Sequence, residues 1–247
     1  MLNIKIAAEP IFQIFGIAVT NSLFTSWMVM IVLLIIAVLV YKKINIMPRS
    51  GQLLFEFFIE QLLNITEGMF GSRKDAEKYL PIVATIFLFV LLSNWLGVFP
   101  GMGSIGFNQV HEGVKEFVPL FRPGSSDLNF TLALAITTIV LVNVFGILSI
   151  GIAKHISKFF TVKSAMDFFV GLLEFISEIA KMISFSFRLF GNVFAGEVLL
   201  VLAAVFMPYL FPVPLLAFEV FVGFIQASVF AMLAAVFIAM AVKHESH

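Results

Sequence analysis

The stretch SFSFRLFGNVFAGE, residues 184–197, places a permanent charge inside an otherwise apolar, phenylalanine-rich run. Arg188 lies near its centre, and Asn192 and Glu197 follow before the run ends. An arginine side chain is effectively always protonated. At the centre of a bilayer it costs about 2.5–3.5 kcal/mol on insertion scales and roughly 10–17 kcal/mol in simulations. On either figure Arg188 needs an anion, water or carbonyl groups beside it. An ionisable residue inside a membrane is by default a candidate for a functional role.

The composition indicates an integral membrane protein. Of the 247 residues, 61% are hydrophobic and 12% are charged, whereas soluble domains carry about 25% charged residues. The net charge is zero and no basic block is present, so no nucleic acid partner is expected. The chain has no cysteine, its four histidines are scattered, and it lacks a Walker loop, a dinucleotide fingerprint and a nucleophile elbow. We therefore expect no metal site, no cofactor and no covalent catalysis.

The hydropathy pattern predicts an all-α integral membrane protein, with residues 1–247 forming a single membrane domain. A spanning helix needs about 20 apolar residues. The predicted spans are residues 20–41, 80–100, 128–153, 164–206 and 215–242. Residues 10–41 carry no charge and are too long for the apolar core of a cleavable signal, so the first span is expected to be a retained anchor.

Residues 51–70 predict one amphipathic helix lying at the membrane interface. Their apolar and acidic residues separate onto two faces at helical spacing. The apolar face holds Leu54, Phe55, Phe58, Leu62 and Met69, and the polar face holds Glu56, Glu60, Asn64 and Glu67. Because the polar face is acidic, contact with other subunits fits it as well as contact with anionic lipid.

Residues 164–206 contain no proline and keep a helical pattern throughout. At about 1.5 Å per residue this run would be about 64 Å long, twice the roughly 30 Å thickness of the hydrocarbon core. Either two helices meet there without a visible breaker, or one long helix is strongly tilted. We favour a long tilted hairpin with residues 215–242, turned by the loop MPYLFPVP at 207–214, because nothing in 164–206 resembles a turn.

The distribution of Lys and Arg predicts an N-terminus outside and a C-terminus in the cytoplasm, since short cytoplasmic loops are rich in these residues. The basic residues on the predicted inner side are Lys42, Lys43, Arg49, Arg73, Lys74, Lys78, Lys154, Lys158 and Lys163. The loop 101–127 on the other side holds only Lys115 and Arg122. Five crossings give the same orientation.

Polar residues form a stripe on each of the last two helices. Residues seven apart lie within about 40° on a helix, so Glu174, Lys181 and Arg188 share a face. Ser184 and Asn192 extend that face, with Glu178 beside it and Glu197 opposite. On the last helix one face carries Glu219, Gly223, Gln226 and Phe230, with the small residues Ala227, Ser228, Ala231 and Ala234 around it.

Three interpretations of these stripes stay open on the residues alone. Arg188 could form an internal ion pair with Glu174, Glu197 or Glu219, while Asn192 and Gln226 join helices by hydrogen bonds. A self-contained channel or secondary transporter would also need such groups, although we find no internal repeat of the kind transporters carry. A purely structural subunit would not need them. Polar groups in two adjacent apolar helices favour an ion or proton pathway.

The stretch 184–197 strongly resembles the signature of subunit a of F-type ATP synthases, in which R-L-F-G-N-x-x-A-G-E surrounds an essential arginine. The resemblance extends to Glu174, to Glu219 with Gln226, and to LSNWLGVFPG (92–101) and SDLNFTLALA (126–135), and so covers nearly the whole chain. A departure is SEIAKMIS at 177–184, where relatives often carry a proline.

The resemblance implies a non-catalytic stator subunit of a rotary ATP synthase in a bacterial inner membrane. Arg188 would face a carboxylate on each copy of the c-ring in turn, favour its ionised form and separate two aqueous half-channels. Family positions imply that Glu197, Glu219, Gln226 and Asn192 line the outer half-channel and that Glu174 belongs to the inner one. The implied partners are the c-ring, b-type peripheral stalk subunits, other ATP synthase subunits and the lipid bilayer.

Overall fold

Helices dominate the chain in a computed structural model that describes residues 8–14, 16–43, 50–99, 101–111, 114–157, 165–206 and 212–243. The helices are α1 (Asn21–Lys43), α2 (Ser50–Phe70), α3 (Arg73–Val98), α4 (Leu128–Ile150), α5 (Ile152–Ser157), α6 (Ala165–Phe206) and α7 (Pro212–Lys243). Five of these described helices, α1, α3, α4, α6 and α7, are long and apolar enough to cross a membrane. The predicted all-α membrane class is therefore confirmed.

Some residues used in the sequence analysis lie outside the described part of the chain. They are Arg49, Lys158, Lys163, Ser164, His244 and His247, together with residues 207–211 of the turn before the last helix and the side chain of Leu54.

Helix α3 begins at Arg73, well before the predicted start at residue 80. The Ser72 side chain caps it by accepting a hydrogen bond from the backbone N–H of Asp75, and the Asp75 carboxylate suits the positive end of the helix dipole. The first turns are highly charged, so hydropathy did not mark them as part of the helix. Pro81 lies inside the helix and does not end it.

Helix α6 is a single helix of 42 residues that runs through 177–184 without interruption. At 1.5 Å per residue it is about 63 Å long. Of the two arrangements that the sequence left open, the structure has the single long helix, and a bilayer about 30 Å thick accommodates it only with a strong tilt or with ends outside the core. Helix α7 begins at Pro212, before the predicted residue 215, because prolines fit the first turn of a helix.

Helix α4 ends at Ile150 and not at the predicted residue 153. Gly151 has a φ of +83°, a conformation that L side chains rarely adopt, and its N–H donates to the carbonyl of Ile147. The chain changes direction at this glycine, and α5 follows as a separate helix.

The described residues also form two antiparallel hairpins, and neither was predicted. The first pairs β1 (Pro10–Ile14) with β2 (Ile17–Thr20), and the second pairs β3 (Gly106–His111) with β4 (Val114–Pro119). The second hairpin occupies much of the loop between α3 and α4, so that loop is folded and leads through a short turn at Gly124–Ser126 into α4.

The core lies among α3, α4, α6 and α7. Its fully buried side chains include Val90, Ile139, Leu189, Phe230 and Ile238. Alanines along α7 let the backbones approach closely, which is the usual basis of helix packing in membranes. Helix α2 lays its apolar face on this core through Phe58, Leu62 and Met69.

Candidate functional site

Arg188 lies on an exposed face of α6. Its Nη2 donates a hydrogen bond to the hydroxyl of Ser184, one turn earlier, at 3.2 Å. No carboxylate among the described residues forms an ion pair with Arg188 within 4 Å. The internal ion pair that the sequence left open is therefore absent from the described part of the chain, and the guanidinium is available to an anion from elsewhere.

The two sides of α6 near Arg188 have different environments. On the side that faces the core, the ring of Phe185 packs against Phe230 of α7 with ring centroids 4.6 Å apart, and the hydroxyls of Ser186 and Thr131 lie 3.0 Å apart. The side facing away from the core is exposed and contains small residues. Its members, spaced three or four residues apart, are Ser184, Phe187, Arg188, Gly191, Asn192 and Ala195. The contacts on the core side fix the rotation of the helix and so direct Arg188 outward.

A hydrogen bond joins the two polar stripes one turn beyond Arg188. Nδ2 of Asn192 donates to Oε1 of Gln226 on α7 at 2.7 Å. Gln226 is 3% exposed, and its Nε2 is buried with no hydrogen-bond partner in the structure.

Glu219 lies two turns before Gln226 on the same face of α7, where Gly223 and Phe230 are buried with it. The carboxylate packs directly on the backbone of α6 at Gly196, where an added Cβ would lie 2.5 Å from Oε1 of Glu219. Its other oxygen, Oε2, is buried without a hydrogen-bond partner. A glycine at 196 is therefore what lets this carboxyl group reach the helix that carries Arg188.

Glu197, the next residue on α6, pairs with Arg122. The distance from Nη2 of Arg122 to Oε2 of Glu197 is 3.7 Å. The side chain of Arg122 is 7% exposed, and its Nε donates to the hydroxyl of Ser126 at 3.0 Å. Arg122 was expected only as a loop charge, because helical periodicity gives no information about a residue in a loop.

Helix α3 also contributes to this region, which the sequence analysis missed. Nδ2 of Asn94 donates to the carbonyl of Gly223 at 3.1 Å, and the indole N–H of Trp95 donates to the carbonyl of Val220 at 3.0 Å. Oδ1 of Asn94 and the hydroxyl of Ser93 are buried without hydrogen-bond partners. The signal was available in the sequence, since two polar residues stand together inside an apolar run.

The N-terminal part of the polar stripe on α6 is arranged differently. Lys181 pairs with Glu178 at 2.7 Å, and its ammonium group lies 5.0 Å from the ring centroid of Phe237 on α7. Glu174 is exposed and forms no ion pair with another described residue. Along α6 it lies about 35 Å from Glu197 at 1.5 Å per residue.

The structure thus brings together four of the six site residues predicted from the sequence. Asn192 contacts Gln226, and Glu219 packs beside Glu197 through the intervening Gly196. Arg188 lies one turn from this cluster on the exposed face of α6, whereas Glu174 lies apart from it.

Comparison with known proteins gives a consistent result. The sequence model of the ATP synthase A chain family matches residues 23–239. ATP synthase subunit a of Moorella thermoacetica is 34% identical over 229 residues, which cover 93% of this chain and 94% of the relative. The subunit a of Campylobacter fetus is 33% identical, covering 90% of each chain, and that of Mycobacterium ulcerans is 35% identical, covering 92% and 88%. The chain therefore belongs to the ATP synthase subunit a family, and it is a multi-pass membrane protein of ATP synthesis and proton transport.

Proposed function

We propose that this chain is the non-catalytic stator subunit against which the c-ring of a rotary ATP synthase turns, with Arg188 at the point of proton exchange. The observation that carries the proposal is that Arg188 has no partner carboxylate among the described residues. It is a permanent cation on an exposed helix face, and no described carboxylate lies within 4 Å of it. In a membrane such a charge needs an anion, water or carbonyl groups beside it, and the c-ring supplies an anion in this proposal.

Arg188 acts on the charge of the ring carboxylate. A carboxylate facing lipid is stable when it is neutral, and a nearby guanidinium favours its ionised form. As each ring carboxylate reaches Arg188 it releases its proton to one half-channel, and it accepts another from the second half-channel before it returns to lipid. The fixed cation between the half-channels opposes direct proton leakage.

The shape of the exposed face suits a ring of helices. Gly191 and Ala195 flank Arg188 and Asn192 on this face, and an added Cβ at Gly191 would meet nothing within 4 Å. Small residues allow the backbone of another helix to approach closely in a membrane. Ring helices can therefore come near the guanidinium.

The outer half-channel consists of Asn192, Gln226, Glu219 and Glu197 in this proposal. The hydrogen bond between the two amides and the packing of Glu219 on Gly196 support a continuous polar path between α6 and α7. Buried polar atoms usually bond to ordered water when the protein offers no partner. Water reaching Oε2 of Glu219 and Nε2 of Gln226 would satisfy both atoms. Glu174, exposed on the other half of α6, belongs to the inner path.

The proposed setting is a bacterial inner membrane, with the N-terminus outside and the C-terminus in the cytoplasm. The distribution of Lys and Arg supports this orientation. A b-type peripheral stalk holds the subunit against the torque of the ring, and lipid covers the remaining apolar helix faces. Each proton that crosses releases roughly 2.3 kcal/mol per 100 mV, so several are needed per ATP and leakage past Arg188 would dissipate the drive.

The test is ATP-driven acidification of inverted vesicles carrying the complete complex. Arg188→Ala is expected to abolish acidification while the ring still co-purifies. Arg73→Ala is the matched control, because Arg73 is a half-exposed arginine among Glu60, Glu67 and Glu77, and such pairs contribute little. Coupled pumping by Arg188→Ala would overturn the proposal. Proton conduction by the purified chain alone in vesicles would favour a self-contained channel instead.

A further inference from the structure

We infer that Arg122 is a positioning residue that holds Glu197 as a fixed anion on the wall of the outer half-channel, so that Glu219 is the carboxylate that exchanges protons there. The inference deepens the proposed function and rests on it. From the sequence, Glu197 and Glu219 were given the same role. The inference assigns a different role to each.

Arg122 is built into the structure as a buried cation. Its side chain is 7% exposed, its Nε donates to the Ser126 hydroxyl at 3.0 Å, and Nη2 lies 3.7 Å from Oε2 of Glu197. A buried charge is tolerated when it is paired and hydrogen-bonded, and removing one partner leaves the other uncompensated. The pairing therefore ties the loop before α4 to α6 directly beside Gly196.

The backbone at Arg122 is held as firmly as its side chain. Its N–H donates at 3.1 Å to the hydroxyl of Thr25 on α1, and that hydroxyl in turn donates to the carbonyl of Asn21 at 2.9 Å. Asp127, another carboxylate in this loop, accepts hydrogen bonds from the Ser22 hydroxyl at 2.8 Å and from the backbone N–H of Asn129 at 3.0 Å. The loop is thus anchored to α1 and α4, and the guanidinium extends from that fixed base to Glu197.

Glu219 differs from Glu197 in having no cation beside it. It is buried beside Gly196, and no cation among the described residues forms an ion pair with it within 4 Å. The Oε2 atoms of both carboxylates lack a hydrogen-bond partner, so the ion pair with Arg122 is what distinguishes Glu197. Arg122 gives Glu197 a permanent positive charge as its partner. A carboxylate without a cation is free to change its charge, and it can therefore pass a proton between the outer water and the ring.

The experiment is a double-variant cycle on the complete complex, with the initial rate of ATP-driven acidification in inverted vesicles as the readout. Arg122→Gln leaves Glu197 without its cation, and Glu197→Gln leaves the buried Arg122 without its anion. Each is expected to slow pumping about tenfold. The pair Arg122→Gln/Glu197→Gln removes both charges and is expected to pump about tenfold faster than either single variant. Arg122→Lys keeps the charge and is expected to retain more activity than Arg122→Gln.

Adding Glu219→Gln separates the roles of the two carboxylates. It should lower pumping by the same factor in the Arg122→Gln/Glu197→Gln background as in the native one, because the exchanging group is unchanged. The inference is wrong if the neutral pair pumps no faster than the single variants, since Glu197 would then be needed as a titrating group. It is equally wrong if neutralising both residues fails to restore an assembly that Arg122→Gln has lost, as judged by co-purification of the ring.

The results distinguish a failure of this inference from a failure of the proposed function. Coupled pumping by Arg188→Ala overturns both proposals. Loss of pumping in Arg188→Ala, together with independent effects of Arg122→Gln and Glu197→Gln, overturns the role of Arg122 alone.

Discussion

The side-chain amide of Asn192 on α6 donates a 2.7 Å hydrogen bond to that of Gln226 on α7. This bond links the two longest helices one turn beyond Arg188, and it uses one of the polar atoms that Gln226 offers. Nε2 of Gln226 stays buried without a partner in the structure. An amide that served only to join helices would gain from having all its groups satisfied. The leftover donor is what we expect of a residue that also contacts water on a proton path.

The first prediction concerns this pair of amides. Asn192→Ala and Gln226→Ala should each slow ATP-driven acidification, and the double variant should be little worse than the slower single variant. The two residues share a hydrogen bond, and residues in contact show interaction energies of about 0.5–3 kcal/mol. At about 1.4 kcal/mol per tenfold in rate, the coupling should be measurable by comparing all four rates.

A matched control uses an amide outside the proposed path. Gln52 is a partly exposed residue of α2 whose amide donates to Glu56 at 2.7 Å, so Gln52→Ala should leave the pumping rate close to the native value. Strictly multiplicative effects of Asn192→Ala and Gln226→Ala would show that the bond does not matter for transport.

The second prediction concerns the close approach of Glu219 to Gly196. In Gly196→Ala the new Cβ would lie 2.5 Å from Oε1 and 3.1 Å from Cδ of Glu219, so the carboxylate must move. Because the carboxyl group is the far end of a flexible side chain, it can move at little cost in stability, and the effect is expected on proton flux. We expect slower proton flux with the ring still bound, measured as acidification rate per copy of assembled complex.

Gly68→Ala is the control for Gly196→Ala. Gly68 is an exposed glycine of α2 at which an added Cβ would meet nothing within 4 Å. Native flux in Gly196→Ala, at the same level as in Gly68→Ala, would mean that the position of the carboxyl group at this helix contact is unimportant.

Much of the helical framework could be predicted from the sequence because membrane helices are long and regular. A 3.6-residue period over residues 164–206 was enough to propose one long helix and to place Arg188 and Asn192 on one face. The same rule placed Glu219 and Gln226 together on the last helix. These are local relations, and helix geometry fixes them without knowledge of the neighbours.

Relations between distant segments could not be predicted in this way. The pairing of Arg122 with Glu197 joins a loop to a helix, and nothing in either local sequence specifies the partner. The contact of Asn94 with Gly223 likewise depends on how α3 packs on α7. The hairpin β3–β4 was missed because spans were sought by hydropathy and the loop between them was treated as irregular. The roles of the individual site residues stay predictions.

The third prediction tests the packing of α3 against the loop that carries Arg122. At Gly97 an added Cβ would clash with the ring of Pro123, whose Cγ and Cβ are the nearest atoms. The proline ring is rigid, so Gly97→Ala must displace the loop or the end of α3. We expect a loss of about 1–3 kcal/mol of stability, seen as a lower melting temperature of the purified complex.

Gly51→Ala gives the comparison for Gly97→Ala, because Gly51 has no atom within 4 Å of an added Cβ. If Gly97→Ala and Gly51→Ala melt at the same temperature, the loop is not held against α3. Because Pro123 follows Arg122 directly, the displaced loop should also weaken the hold on Glu197, and pumping should fall together with stability.

The fourth prediction compares two glutamates in different settings. Glu219→Gln keeps the shape of the side chain but cannot exchange a proton, and positioned acid–base groups contribute about 10²-fold or more to proton-transfer rates. Glu56 lies on the exposed face of α2 and accepts a hydrogen bond from Gln52, so Glu56→Gln should leave proton flux close to native. The measurement is the initial rate of ATP-driven acidification at equal amounts of assembled complex.

A loss of about 10²-fold confined to Glu219→Gln would support Glu219 as the exchanging carboxylate of the outer path. Equal rates for the two variants would remove Glu219 from that path, because a buried carboxyl group that relays protons cannot be replaced by an amide without effect.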